Sequence, residues 1–290
     1  MLEKGIRVGA ILINYNARDD TKECINSLLD QDYSPIEIYV VDNASPDGSG
    51  IALQEEFIDK ANVHVIPNEE NLGFSAGNNI GIREAFCNGC SAVLLINNDT
   101  IADSSLVTEL LGELDYNNIV APYMYYYTEP RRLWFAGGYF NWRGQPLHMT
   151  DLSSSHSVDF ITGCCLMYSR EVYDLIGEWD ERYFLYFEDC DFSARAVSAG
   201  VHLRMVPAAV LWHKVSSSTG KDSRLTSYYK CRNKLLFVGE HEKAFLPLSW
   251  AWGTVLLRCL MPGSARVARV AMSDYMSGRF GILKGASRIE

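Results

Sequence analysis

Apolar and polar positions fall in repeating blocks along the first 120 residues. "RVGAILINYN" (7–16) is a continuous apolar run closed by polar side chains, the mark of a strand buried on both faces. "DDTKECINSLLDQ" (19–31) places Cys24, Ile25, Leu28 and Leu29 at helical spacing,. "IEIYVVDNASPDGSG" (36–50) predicts a second strand ending in a Gly/Pro/Asp/Ser turn,. "GIALQEEFIDKA" (50–61) predicts a helix, "NVHVIPN" (62–68) a strand, and "NLGFSAGNNIGIREAF" (71–86) a loop entering a helix. "SAVLLINND" (91–99) predicts a strand, and "DSSLVTELLGEL" (103–114) a helix capped by Asp103 or Ser104,. This βαβ series predicts an α/β fold with a mostly parallel sheet flanked by helices. Ligands of such sheets bind beyond the carboxyl ends of the strands. Those ends carry Asn14-Tyr15-Asn16, Asp42-Asn43, Asn68 to Asn71 and Asn97-Asn98-Asp99.

The pattern then changes. "RRLWFAGGYFNWRGQPLH" (131–148), rich in aromatics and glycine, predicts a hairpin. Residues 158–200 read as strand, short helix, loop, then a helix from about Glu188. Residues 201–219 read as a short strand pair. From Arg224 the chain turns helical, and 243–281 is strongly apolar with interspersed arginines.

Composition narrows the class. With 290 residues, 48% hydrophobic and 21% charged, the chain suits one large domain, or a domain with an appendage. A net charge of −10 argues against nonspecific nucleic-acid binding. No run reaches the roughly 20 apolar residues of a spanning helix. The N-terminus lacks a small-residue cleavage site, so a cytoplasmic protein without signal peptide is expected. The eight cysteines form no regular framework and read as reduced thiols. Cys87 and Cys90 make a C-x-x-C, but no second pair stands at zinc-ligand spacing,.

The stretches "ILINYN", "VVDNASPDGS", "NLGFSAGNN", "LLINNDT", "TGCCLMYSREV", "GEWDERYFLYFEDCDFSARA", "VLWHKVSSS" and "YYKCRN", in this order and spacing, resemble the inverting glycosyltransferases of family 2, which have the GT-A fold. The resemblance covers about residues 6–240. Within the family the chain is most similar to bacterial rhamnosyltransferases acting on polysaccharide or lipid-linked acceptors, with galactofuranosyltransferases as close neighbours. The resemblance implies a GT-A catalytic domain over 1–240 and leaves a C-terminal helical extension over 241–290. It implies a nucleoside diphosphate sugar donor, dTDP-rhamnose favoured over a UDP-sugar, and a glycan or lipid-linked glycan acceptor. A catalytically silent nucleotide-sugar binding module is the rival reading. A nucleotidyltransferase would need a Gly-rich basic loop after the first strand, and "NYNARDD" is not one.

The resemblance assigns Asp42 to the imide N–H of a uracil or thymine, with a turn or cap role as the alternative. Asn14, Tyr15 and Asn16 would line the same pocket. Gly73 and Gly77 allow close backbone approach, and the helix start that follows offers N–H groups to an anion. The resemblance places Asn71, Gly73 and Asn78 at the nucleotide-sugar, with Asn98 beside them. Asn97-Asn98-Asp99 stands where many relatives carry Asp-x-Asp, so Asn97 is a departure. The resemblance gives Asp99 and His213 to a metal, Mn²⁺ or Mg²⁺. One carboxylate with phosphate oxygens can hold a hard cation, and imidazole favours Mn²⁺.

In "FEDCDFSAR", Glu188, Asp189 and Asp191 repel one another, so one carboxyl is expected to titrate high, as a base working near neutrality requires. The resemblance makes Asp189 that base, with Glu188 flanking it or touching the acceptor. Asp191 would serve the helix dipole. "YYKCRN" puts Tyr228, Tyr229 and Arg232 on adjacent helical turns, where Arg232 could clamp a diphosphate or form an ion pair. Lys214 and Asn233 stand beside these motifs. Gly163, Cys164, Trp179 and Asp180 are expected at the acceptor pocket. From Arg258 onward six basic residues face two acidic ones. With Trp250, Trp252, Leu256, Leu257 and Leu260 beside them, this predicts either peripheral attachment of 245–285 to an anionic membrane surface, or packing on the catalytic domain or a homodimer interface.

Overall fold

In the computed structural model, which describes residues 5–151, 158–215, 223–241 and 245–289, the apolar blocks become strands. The N-terminal half runs β1 (Val8–Asn14), α1 (Arg18–Leu29), β2 (Ile36–Asp42), α2 (Ser49–Glu56), β3 (Val63–Pro67), α3 (Gly73–Cys87) and β4 (Ala92–Ile96). It continues through β5 (Thr100–Ala102), α4 (Leu106–Glu113), β6 (Asn118–Tyr126), β7 (Leu133–Phe135), β8 (Gly138–Phe140) and β9 (Pro146–His148). Then follow β10 (Cys165–Ser169), α5 (Arg170–Ile176), α6 (Glu188–Ser198), β11 (His202–His213), α7 (Arg224–His241), α8 (Phe245–Leu260) and α9 (Ala265–Met276).

One sheet has the order β3-β2-β1-β4-β10-β6-β11-β5, with β7 added on β6, and β8 and β9 form a separate hairpin. Strands β1 to β4 are parallel, as the βαβ pattern predicts. The other half is mixed: β10 runs antiparallel to both neighbours, β11 parallels β6, and β5 opposes β11. Parallel pairing therefore runs through β1–β4 and joins β6 to β11, while antiparallel pairs enter at β10, β5 and β7. Among the described residues no helix lies between β9 and β10, so no crossover there forces β10 parallel,. Alternation along β1 sends Val8, Ala10 and Leu12 to one face and Ile11 to the other, the two-residue period of a strand covered on both sides.

Two local expectations are corrected. The strand pair foreseen over 201–219 is one strand, β11, with its register shifting between Val206 and Val210. Pro207 lies inside that shift and cannot donate to the ladder; residues 216–219 lie outside the described residues. Helix α4 begins at Leu106, and Asp103 instead accepts from the Ser105 amide (3.1 Å) and hydroxyl (2.8 Å). The short carboxylate competes for backbone donors just ahead of the helix.

All eight cysteines are free, seven of them buried. Helices α7, α8 and α9 pack on one another, and α6 meets α7. Ala251, Val255, Val267 and Ala271 join the same apolar cluster as the sheet residues. The boundary expected at residue 240 falls in the last turn of α7. Among the described residues no helix is long and apolar enough to cross a membrane.

Candidate active site

Strands β1 and β2 end side by side, with Asn14 opposite Asp42. Both side chains are buried. Asn14 Nδ2 donates to Asp42 Oδ1 (2.7 Å) and Ser49 Oγ (2.9 Å), and its Oδ1 accepts from Thr21 Oγ1 (2.8 Å). Asp42 also accepts from the Ser45 hydroxyl (2.5 Å) and amide (3.1 Å). The turn-holding role of Asp42 is thus filled here, and Asn14 serves the turn rather than facing a pocket. Gly50 has no room for a side chain, since a Cβ would come within 2.4 Å of the Asp42 carboxylate. Asn16 adopts φ 55° and accepts from the Asp47 amide, while Tyr15 is exposed at the strand end.

The segment ahead of α3 is an Asx turn: Asn71 Oδ1 accepts from the Gly73 amide at 2.9 Å. Gly73 sits at φ 83°, and a Cβ there would lie 2.5 Å from both the Phe184 ring and its carbonyl oxygen. Contact with Phe184 is by itself enough to demand glycine here. Asn78 is buried and donates to the Phe74 carbonyl within its own helix. Gly77 lets α3 approach Ile13 and Asn43.

At the end of β4, Asn98 Nδ2 donates to Thr21 Oγ1 (2.8 Å), which turns that amide toward α1. Pairing of β5 with β11 sets His213 opposite Thr100, and this brings His213 Nε2 to 3.2 Å from Asp99 Oδ1. Trp134 meets the His213 ring edge-on at 4.3 Å. His213 Nδ1 is buried without a partner. A nitrogen and an oxygen 3.2 Å apart match two neighbouring ligands, each roughly 2.2 Å from an octahedral cation. The pair therefore fits a divalent ion. Among the described residues no group of three or more His, Cys, Asp or Glu could hold a metal by itself. Lys214 faces Asp20 and Glu23 on α1, at 2.7 Å each.

The acidic cluster follows a strained loop. Phe184, Tyr186 and Phe187 have φ 56°, 69° and 73°, conformations costing about 1–3 kcal/mol each. Beyond them Asp189 Oδ1 accepts from the Cys190 amide (2.8 Å) and Oδ2 from the Gly163 amide (3.3 Å). Glu188 is 7% exposed and its Oε2 has no partner. Burial, then the charges of Asp189 and Asp191, push its pKa well above the usual carboxylate range. The carboxyl expected to titrate high is therefore Glu188. Burial would raise Asp191 as well, but the His241 ring (2.7 Å) and the Arg195 guanidinium (2.8 Å) hold it below its ordinary value. Asp191 sits in the first turn of α6, as a dipole partner would, and ties that helix to α7.

Gly163 and Cys164 join the two halves of the site. The Gly163 amide donates to Asp189, and the Cys164 carbonyl accepts from the Asn97 amide at 2.8 Å. Trp179 departs from expectation. It is buried, stacks on Phe192 at 4.3 Å and donates to the Tyr168 hydroxyl, so it supports Gly163 from behind instead of lining a pocket. Asp180 caps a short 3-10 turn and pairs with Arg182. Arg232 departs further. It is wholly buried, with its guanidinium turned to the carbonyls of Gly281 (2.7 Å) and Arg182 (3.0 Å), and it is not placed to grip a diphosphate.

One residue escaped the sequence reading. His148, at the end of β9, packs its ring against Trp134 and Phe135. Burial lowers its pKa from 6.5, and the charges of Asp189 and His213 act on it. It stands at the same site, yet a lone histidine closing a hairpin carries no sequence signal.

The family model described as Glycosyl transferase family 2 matches residues 10–177. N-acetylglucosaminyl-diphospho-decaprenol L-rhamnosyltransferase of Mycobacterium tuberculosis is 32% identical over 133 residues, covering 43% of this chain and 43% of that protein. The match thus spans less than half the length of that relative. The dTDP-rhamnosyl transferase RfbF of Shigella flexneri is 21% identical over 248 residues, 82% of this chain and 81% of that one. Two solved structures share the fold. GalNAc-T7 with UDP, GalNAc and Mn²⁺ has a TM-score of 0.69 at 12% identity, over 95% of this chain and 56% of that one. The Pyrobaculum calidifontis mannosyltransferase with GDP-Man and Mn²⁺ has a TM-score of 0.61 at 16% identity, over 95% and 76%.

Proposed function

The chain belongs to glycosyl transferase family 2, and from that premise we propose that it moves a sugar from a nucleoside diphosphate sugar to a hydroxyl of a glycan or lipid-linked glycan, inverting the anomeric centre. dTDP-rhamnose is the favoured donor, in keeping with the two rhamnosyltransferase relatives. The observation that carries the reading is the Gly163–Cys164 link, which sets Asp189 on one side of the site and the Asp99–His213 pair on the other. Asp189 takes the proton of the acceptor hydroxyl, and the oxygen attacks from the face opposite the diphosphate. Glu188, buried with its Oε2 unpartnered and its pKa raised, lies beside that base. Asp99 and His213 would hold Mn²⁺ or Mg²⁺, the former named with both solved relatives, which when bound would offset charge on the diphosphate. The pair supplies two ligands, so phosphate oxygens and water must complete the shell. We place 1–240 as the catalytic unit and 245–285 as a peripheral attachment to anionic membrane, with a homodimer as the alternative use of that surface.

The decisive experiment is Asp189→Asn. Transfer should fall by about 10²–10⁴-fold, with donor Kd changed no more than a few-fold in calorimetry. Transfer near the wild-type rate would move the base elsewhere. EDTA should slow the wild-type enzyme; an unchanged rate would remove the metal role of Asp99 and His213.

A further inference from the structure

Residues 183–187 pose a problem that their own backbone does not solve. Phe184 closes a tight turn in which the Leu185 amide donates to the Tyr183 carbonyl at 2.5 Å, with φ 56° and ψ −53°. This is the rare, strained form of the three-residue turn. Tyr186 and Phe187 follow in left-handed conformations. A chain folded this way cannot form a helix or sheet ladder, yet its carbonyls lie in the interior and need donors.

The donors come from α7, about fifty residues away. Asn233 Nδ2 lies 2.6 Å from the Tyr183 carbonyl and 2.8 Å from those of both Leu185 and Tyr186. Arg232 Nη2 donates to Arg182 (3.0 Å) and Tyr183 (3.4 Å). Arg232 and Asn233 are both wholly buried, so water does not compete. Arg232 Nε donates in turn to Asn233 Oδ1 at 2.9 Å, which fixes the amide with its N–H groups toward the loop. From the other side the Phe74 amide donates to the Phe184 carbonyl at 2.7 Å, and the Phe184 ring stacks on Tyr229 of α7 at 5.0 Å.

We propose that Arg232 and Asn233 form a clamp that holds this strained loop in shape, and that the clamp positions Asp189, two residues beyond it, against the Gly163 amide. They are positioning residues for sugar transfer, acting through the loop and touching no substrate. The inference rests on the reading of Asp189 as the base. The loop bridges α7 and the start of α3, so the same clamp sets the base relative to the Asn71–Phe74 turn. An amide suits position 233, since an aspartate of the same shape would set one acceptor oxygen, in place of the N–H groups, against three carbonyls,.

The test uses Asn233→Asp and Asn233→Ala in the full chain. Both should lower kcat for transfer at least tenfold and leave donor Kd within twofold. Hydrogen exchange of the Phe74 and Gly163 amides, on other elements, should accelerate at least tenfold, while β1 and β2 stay unchanged. A purely structural role would lower donor affinity and melting temperature together and spare the kcat of the folded fraction. Wild-type kcat in a folded variant, or unchanged exchange at Phe74 and Gly163, overturns the clamp. If neither variant folds, the wild-type protein decides. Its Phe74, Leu185 and Gly163 amides should exchange as slowly as the interior of α7, and rates typical of an open loop overturn the proposal. If the wild-type chain transfers no sugar, the functional reading fails, and the exchange measurements still judge the clamp on its own.

Discussion

Glu188 is a carboxyl buried with an oxygen that no neighbour satisfies. Folding makes it a weaker acid, so the folded chain binds its proton more tightly than the unfolded one. The contribution is favourable and complete below the ordinary value of 4.5, and it is lost as the pH rises toward the raised folded value,. At neutral pH the buried group therefore lowers stability,. Glu188→Gln keeps the shape and removes the ionisation. It should raise the melting temperature at pH 7.5, by about 2–4 °C for each kcal/mol relieved, and the gain should shrink toward pH 4. A scan at both values checks this, and equal gains would show that ionisation is not the cost. The acidic triad was legible in the sequence because three carboxylates stand within four residues. Which one titrates high was not, because that depends on Arg195 and His241 lowering Asp191 while a backbone hydrogen bond does not offset the burial of Glu188. Arg232 misled for a related reason. Its carbonyl partners lie about fifty residues away on either side, beyond any local motif.

Elements were legible where their own period decides them. The strands β1 to β4 and helices α1 to α3 follow from apolar blocks and turn residues. The direction of β10 did not, since an antiparallel strand between two others is chosen by its neighbours. The start of α3 was legible as an element end, and the structure adds a packing reason for its glycine. Glycine at 73 suggested close backbone approach, and the neighbour it admits is Phe184. Gly73→Ala would combine a disfavoured φ with contact against a backbone oxygen, and should cost about 2 kcal/mol or more. Gly77→Ala is the internal control. Its Cβ would meet the Ile13 methyl at 3.0 Å and the Asn43 amide group at 3.3 Å, side chains that can yield, and helix propensity gains about 1 kcal/mol. Denaturant unfolding of the two variants should separate them clearly. A Gly73→Ala protein as stable as Gly77→Ala would mean that the Phe184 contact is not made.

For the molecule as a whole, the question is what the C-terminal helices do beyond packing. Their positive charge is partly consumed inside: Arg279 and Arg288 both pair with buried Asp274, and Arg266 and Arg269 donate to backbone carbonyls. One side of α8 is buried through Ala251 and Val255, but Leu257 and Leu260 remain 63% and 77% exposed, with Met261 beside them. The β8–β9 hairpin lengthens this strip. Arg143 lies between Trp142, 66% exposed, and Trp250, 4.5 and 4.2 Å from their rings. Indoles, leucines and an arginine on one surface are the composition of an interfacial contact with anionic lipid. Packing and attachment are therefore not exclusive, and removing the helices would strip the apolar cluster instead of testing the surface. Leu257→Asp with Leu260→Asp alters only exposed positions. Each inserted CH₂ is worth about 0.8 kcal/mol, so the pair should weaken flotation with anionic liposomes at least tenfold and leave the melting temperature within about 2 °C. Added salt should weaken wild-type flotation too, because the Debye length shortens to about 8 Å at 0.15 M. Failure of the wild-type chain to float at low salt overturns the membrane role. If the same substitutions then turn a dimer into a monomer in sedimentation, the strip belongs to a second copy of the chain.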